Sequence, residues 1–175
     1  MLREDNSSHP GYAKPVSVKS YAAIVKIPWA EVSLGIQVQS GRLISVDFLL
    51  NNLSSFTSCD EVAQEAIRQF QMYFRNPRHR FTLPLSPSGT EFQLRVWKAL
   101  RMIPAGVTLS YGDLARKLSS SARAIGGACR ANHIPIIIPC HRIVAAHGMG
   151  GFMGVTSGRG LQLKQRLLTH ESNLQ

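Results

Sequence analysis

The chain has 175 residues, 44% of them hydrophobic, which suits one compact domain or two small ones sharing an interface. That composition excludes a disordered, collagen-like, coiled-coil or low-complexity chain. Lys and Arg number 20 against 10 Asp and Glu, and the excess is uneven: nine basic and seven acidic residues up to position 85, eleven and three after it. A net charge of +10 so placed points to a polyanion meeting the second half, although a basic chain can also be merely a soluble one.

Residues 1–15 are polar, with Asp5, Asn6, Ser7, Ser8 and Pro10, and read as a flexible lead-in without the apolar core of a signal peptide. No apolar run reaches the roughly 20 residues that a membrane helix needs. The expectation is therefore a soluble protein of a reducing compartment, cytoplasmic, or nuclear in a eukaryotic host. From Tyr21 the pattern alternates: Ala23, Val25 and Ile27; then Val32, Leu34, Ile36 and Val38; a turn at Ser40-Gly41; then Ile44, Val46, Phe48 and Leu50. Period two with a polar opposite face predicts an antiparallel meander buried on one side. Ser58 and Glu61 have the capping-box spacing ahead of Val62, Ala66, Ile67, Phe70 and Tyr73, an amphipathic helix stopped at Asn76-Pro77. Phe81 to Pro87 reads as a proline-rich linker. The boundary placed there divides an N-terminal α/β lobe, 16–85, from a mainly helical C-terminal domain, 86–175.

Beyond it, Ser88 or Thr90 caps a helix with Phe92, Val96, Leu100 and Ile103 on one face, widened by Trp97 and ended by Pro104-Ala105-Gly106. A short strand or turn, Val107 to Ser110, leads to the segment Tyr111–Leu118. Three serines and the segment Ala122–Arg130 follow. Two short helices joined by a polar turn, the second rich in small residues and arginine, fit a helix-turn-helix, or equally an ordinary helical hairpin.

Three cysteines, Cys59, Cys129 and Cys140, form no C-x-x-C pair, which argues against a disulfide framework or a structural zinc site. Cys140 alone has reactive surroundings. It ends the segment Asn132–Pro139, rich in isoleucine, and is followed by His141 and Arg142. A thiolate is the reactive form; nearby cations lower its pKa and a neighbouring histidine can take its proton. The competing reading is a small buried apolar side chain, which is retained for Cys59 and Cys129.

The residues Pro139-Cys140-His141-Arg142-Ile143-Val144 resemble the P-C-H-R-[IV]-[IV] signature of the O6-alkylguanine-DNA alkyltransferases, also called methylated-DNA–protein-cysteine methyltransferases. Thr90-Glu91-Phe92-Gln93…Val96-Trp97, Ser110-Tyr111-Gly112-Asp113-Leu114-Ala115, the segment from Ala122 to Asn132, and Leu167-Leu168…His170-Glu171 resemble further family segments in the same order, from about residue 88 to 171. The resemblance implies an N-terminal ribonuclease-H-like antiparallel sheet with a helix, and a C-terminal helical lobe with a helix-turn-helix and the active cysteine. It also implies a suicide methyltransferase. O6-alkylguanine, with O4-alkylthymine as a further candidate, is flipped out of double-stranded DNA held from the minor groove, and the alkyl group passes irreversibly to Cys140. A monomer without cofactor or metal is expected; His9, Cys59 and His79 are too widely spaced for the zinc site of some relatives.

By the same resemblance His141 is the base, acting through a water, Glu171 orients it, and Asn132 fastens the turn between recognition helix and active-site strand. Tyr111 donates a proton to the leaving guanine. Arg123 fills the vacated stack, with Ala124, Gly126 and Arg130 on the same DNA-facing helix. The carbonyls of Cys140 and Ile143 would recognise the exocyclic amine, in a pocket to which Pro135 also belongs. Gly151-Phe152-Met153-Gly154 resembles the family's lid, making Phe152 a wall and the Met153 amide a donor to O6; an alternative alignment puts Ser157-Gly158 there. Two other readings compete: a non-transferring lesion sensor of the same fold, against which the intact Cys140-His141 pair argues, and a cysteine hydrolase, for which no local signature exists.

Overall fold

The computed structural model describes residues 21–49 and 53–172; the lead-in over 1–15 and His9 lie outside the described residues. Ser40 and Gly41 both take left-handed φ, 51° and 67°, the two-residue turn whose twist matches that of paired strands. It joins β2 (Ser33–Gln39) to β3 (Arg42–Leu49) as an antiparallel hairpin. β1 (Ala23–Lys26) pairs with β2 and with the short β4 (Phe56–Thr57), giving an antiparallel sheet in the order β3-β2-β1-β4. Ala23, Val25, Leu34, Ile36, Val46 and Phe48 are buried in one core. α1 (Glu61–Arg75) packs on this sheet and buries Ala63, Ala66, Phe70, Tyr73 and Phe74, the i, i+3, i+7 spacing of a single stripe.

The expected polar opposite face does not hold at β1, where Ile24 is fully buried with Tyr21 and Leu49 in a second, smaller cluster. The Tyr21 ring crosses β2 at Gly35, where an added Cβ would come within 2.6 Å of it, and its hydroxyl donates to Asp47 at 3.1 Å. The start of α1 also differs from the Ser58–Glu61 capping box. Asp60 is the cap, accepting from the Ala63 N–H at 2.8 Å, and Ser58 Oγ accepts from the Asp60 N–H at 3.3 Å. A carboxylate there meets the positive end of the helix as well as its unpaired N–H groups. The helix stops before Asn76-Pro77 as expected. The proline-rich segment is bound to the edge of β3: Leu43 N–H donates to Pro84 O at 2.9 Å and Leu43 O accepts from Ser86 N–H at 3.0 Å. Prolines suit an edge, because one side of it needs no ladder donors.

In the second half Thr90 caps α2 (Glu91–Leu100) in a reciprocal capping box with Gln93, and Val96, Trp97 and Leu100 are buried. α3 (Tyr111–Lys117) and α4 (Ala122–Arg130) are joined by residues 118–121, capped by Ser110 and Ser121, and packed on each other. The Trp97 indole N–H donates to Ala128 O at 2.9 Å and fastens α4 to α2. β5 (Leu109–Ser110) pairs in parallel with β6 (Ile143–Val144), which brings the start of α3 alongside the chain leaving the cysteine motif. α5 (Gly158–Ser172) closes the described chain and delivers Lys164 and Glu171 to the interior.

Candidate active site

The isoleucine run does not form the expected strand. Residues 134–138 make a tight turn, in which Ile138 N–H donates to Ile134 O at 2.9 Å and Ile136 takes a left-handed φ of 70°. Pro135 and Pro139 supply no ladder donors, and the isoleucines are buried in the core, so packing replaces pairing. A β-branched residue at positive φ costs about 1–3 kcal/mol and persists only where its surroundings fix it. Asn132 helps to fix it from both ends: its Oδ1 accepts from the Ile134 N–H at 3.0 Å and its Nδ2 donates to Ile138 O at 2.8 Å. The same Nδ2 lies 3.2 Å from Cys140 Sγ, so one amide holds both the turn and the thiol.

Cys140, His141 and Arg142 form one turn of 3₁₀ helix and send their side chains apart. Cys140 lines a cavity of about 180 Å³ together with Tyr111, Gly126, Cys129, Arg130 and the lid residues around Phe152 and Met153. His141 is fully buried, with Nε2 2.9 Å from Glu171 Oε1. Glu171 is held well below the usual carboxylate range. Burial works against that, but the hydrogen bonds and charges of His141 and Arg142 prevail. An ionised Glu171 only accepts, so Nε2 carries the hydrogen and Nδ1 is left basic; among the described residues Nδ1 has no hydrogen-bond partner. Burial also lowers the His141 pKa, which keeps the ring neutral and able to take a proton.

The expectation that Arg142 activates the thiol is corrected by its placement. Its Nε and Nη2 donate to Glu171 at 2.8 and 2.7 Å and its Nη1 to Ile103 O, so it is spent on the carboxylate and is not on a DNA-facing surface. Burial pushes the Cys140 thiol up; the Asn132 bond and the charge of Lys164 oppose that. Lys164 is fully buried and donates to Ile143 O at 2.6 Å, Met149 O at 2.6 Å and Gly151 O at 3.0 Å. Burial brings its pKa down to about 8, a fall checked by the charges of Cys140 and Cys129. Lys164 also occupies the Ile143 carbonyl expected to recognise the exocyclic amine, leaving that oxygen one lone pair.

Tyr111, at the start of α3, donates to Gly151 O at 3.3 Å, and its pKa rises to about 12 through burial and then the neighbouring thiols, so its hydroxyl keeps its proton. Phe152 is buried against Phe48, and Phe152 and Val155 exchange two backbone hydrogen bonds in a tight turn that sets Met153 at the cavity wall. Pro135 lies below, in the wall of a smaller void with Asn132 and Cys140. Arg123 and Ala124 do not line the cavity; they stand on the first turn of α4, Arg123 exposed and Ala124 half-buried. An added Cβ at Gly127 would meet nothing within 4 Å, so helix packing does not require a glycine there.

Residues 91–173 match the family model described as 6-O-methylguanine DNA methyltransferase, DNA binding domain. The chain is 40% identical over 121 residues to the methylated-DNA–protein-cysteine methyltransferase of Methanosarcina acetivorans, covering 68% of this chain and 75% of that protein. The chain belongs to the methylated-DNA–protein-cysteine methyltransferase family. Its Archaeoglobus fulgidus relative of the same name is 33% identical over 83% of this chain and 96% of that protein. Among solved structures of the family, the Mycobacterium tuberculosis O6-methylguanine methyltransferase superposes with a TM-score of 0.68 at 33% identity, covering 82% of this chain and 88% of that one. The Mycobacterium tuberculosis OGT in complex with DNA gives 0.68 at 32% identity, over 86% and 91%.

Three residues complete the site, Arg142 from within the cysteine motif and Lys164 and Tyr73 from outside the family segments. Arg142 grips both oxygens of the Glu171 carboxylate, Lys164 supplies the cation near the thiols, and Tyr73 of α1 donates its hydroxyl to Glu171 Oε1 at 2.9 Å. Tyr73 lies 98 residues from Glu171, and only its place in the helix stripe was readable. A buried lysine in the amphipathic pattern of α5, with no acid spaced to pair with it, was the one signal for Lys164.

Proposed function

We propose that the chain repairs alkylated DNA by taking the alkyl group from O6 of guanine onto its own Cys140, once per chain. The observation that carries this is a thiol at the wall of a base-sized cavity with a neutral, carboxylate-oriented imidazole as its sequence neighbour. The Cys140 proton passes through a water to His141 Nδ1, and Glu171 and Lys164 offset the charges that form. The thiolate attacks the alkyl carbon in line; the S–C bond forms as the C–O6 bond breaks, and the guanine leaves with the electron pair. The Tyr111 hydroxyl, protonated across the physiological range and held only by a long bond to Gly151 O, stabilises the departing base as a donor at its ring nitrogen. Phe152 forms a wall, and the Met153 amide and the Cys140 carbonyl offer polar contacts to the base.

A base in duplex DNA reaches a buried thiol only when flipped out. α4 is the surface for this. Arg123, exposed on its first turn, fills the vacated stack, and Gly126 and the unpacked Gly127 let the helix approach the minor groove closely, with Ala124 and Arg130 beside them. Affinity comes mainly from phosphates and falls with salt. The protein acts as a monomer on double-stranded DNA, in the cytoplasm or, in a eukaryotic host, the nucleus. No helix among the described residues is long and apolar enough to cross a membrane. Incubation with duplex DNA containing O6-methylguanine, followed by digestion and mass spectrometry, tests the reading: one methyl group appears on the peptide holding Cys140, and Cys140→Ser binds the duplex without gaining it. Binding with no gain on the wild-type chain would overturn it.

A further inference from the structure

The cavity holds a second sulfur that the transfer reaction does not use. Cys129, on the last turn of α4, is buried and lines the same space of about 180 Å³ as Cys140. The two also share the wall of a void of about 10 Å³, room for about one water, with Asn132 and Met153. Asn132 connects them a second time: its backbone N–H donates to Cys129 O at 3.3 Å while its side chain holds Cys140 Sγ. Both thiols are free, both feel Lys164, and Cys129 also feels the charge of Cys140. Ile125 and Ala128 fill the core side of α4 more completely, leaving Cys129 on the flank toward the cavity.

We propose that Cys129 is a second acceptor in this cavity: an alkyl group that reaches Cys140 with a leaving group at its far end, as a 2-haloethyl group does, is closed onto Cys129 and joins the two sulfurs. The inference rests on Cys140 being the alkyl acceptor. In the first step the Cys140 S–C bond forms and the C–O6 bond breaks. In the second, Cys129 sulfur attacks the carbon bearing the halogen, the new S–C bond forms, halide leaves with the bonding pair, and the thiol proton passes to water; nothing is oxidised or reduced. Burial, and next the charge of Cys140, keep Cys129 protonated, so it does not compete for the first step. Once the electrophile is tethered beside it, the attack is intramolecular, and effective molarities of about 10⁵–10⁸ M for well-oriented groups compensate for a neutral thiol. Closure also removes a haloalkyl group that would otherwise face the DNA and could fasten the protein to it.

The test uses the full chain with 1,2-dibromoethane and no DNA, read by peptide mass spectrometry, beside methyl transfer from O6-methylguanine duplex as a separate measurement. The expected result is an ethylene bridge between the Cys129 and Cys140 peptides, in large excess over the hydrolysed, open-ended adduct. Exposed Cys59 carries only open-ended adducts as the internal control. In Cys129→Ser the bridge is lost and Cys140 carries the open-ended adduct. Open-ended adducts on Cys140 of the wild-type chain, with Cys129 still a free thiol, overturn the proposal even where methyl transfer succeeds. Bridging without methyl transfer instead overturns Cys140 as the acceptor from DNA and leaves the two-thiol cavity standing. Failure of either cysteine to react overturns the proposal as well.

Discussion

Glu171→Gln removes one charge with almost no change in volume, and five hydrogen bonds decide its effect. Glu171 Oε1 accepts from Tyr73 Oη at 2.9 Å, His141 Nε2 at 2.9 Å and Arg142 Nη2 at 2.7 Å; Oε2 accepts from Arg142 Nε at 2.8 Å and Gly106 N–H at 3.3 Å. A glutamine amide keeps one accepting oxygen. In its better orientation its NH₂ replaces Oε2 and confronts two donors; in the other it confronts three. Either way the buried Arg142 guanidinium loses its counter-charge, the situation that costs about 3–5 kcal/mol when one partner of a buried pair is removed. For a chain of this length that is a fall in Tm of about 6–20 °C. Urea unfolding followed by tryptophan fluorescence at pH 7 measures it, with an unchanged m-value showing that the loss lies in the folded state. The pH dependence supplies the second arm. The folded Glu171 pKa is depressed, so its stabilisation is complete above the unfolded value of about 4.3 and is lost as pH falls below that. The gap between wild type and variant therefore narrows under acid. A loss of under about 1 kcal/mol at pH 7, the size of an exposed pair, would refute the reasoning.

Tyr73→Phe removes one donor from the Glu171 carboxylate, which strengthens the pull of that charge on His141. The acid limb of the transfer rate moves to higher pH; a lower amplitude at an unmoved midpoint would show Tyr73 to be packing alone. Lys164→Met removes the cation that lowers the thiol and the clamp on three carbonyls, so the pH midpoint for Cys140 alkylation by iodoacetamide rises; an unmoved midpoint contradicts the role. Arg123→Ala slows transfer from duplex by about 5- to 150-fold, the worth of one stacked base at about 1–3 kcal/mol, and leaves transfer from free O6-benzylguanine unchanged. Equal duplex rates for the variant and wild type would remove Arg123 from the flipping step.

Much of the fold was legible because it is local. Ser40-Gly41 announces its hairpin, Asn76-Pro77 ends α1, and Thr90 starts α2, each through backbone chemistry confined to a few residues. The Cys140, His141 and Asn132 cluster was legible for the same reason, lying within ten consecutive positions. What was hidden depends on distant partners. The pairing of β1 does not reveal that Tyr21 covers Gly35, and the isoleucine run reads as a strand until Asn132 is seen bonding both ends of the turn. Arg142 beside a cysteine reads as its activator; only the fold, bringing Glu171 from 29 residues away, shows the guanidinium turned from the thiol.

The central claim is that Cys140 takes one alkyl group and keeps it. Duplex DNA carrying O6-methylguanine with a labelled methyl group, titrated in excess over the chain, measures it directly. Label on the protein is expected to rise to one methyl per chain and stop there, all of it as a thioether on Cys140. Label released to solvent beyond one equivalent, or label settled on any other residue, would contradict it.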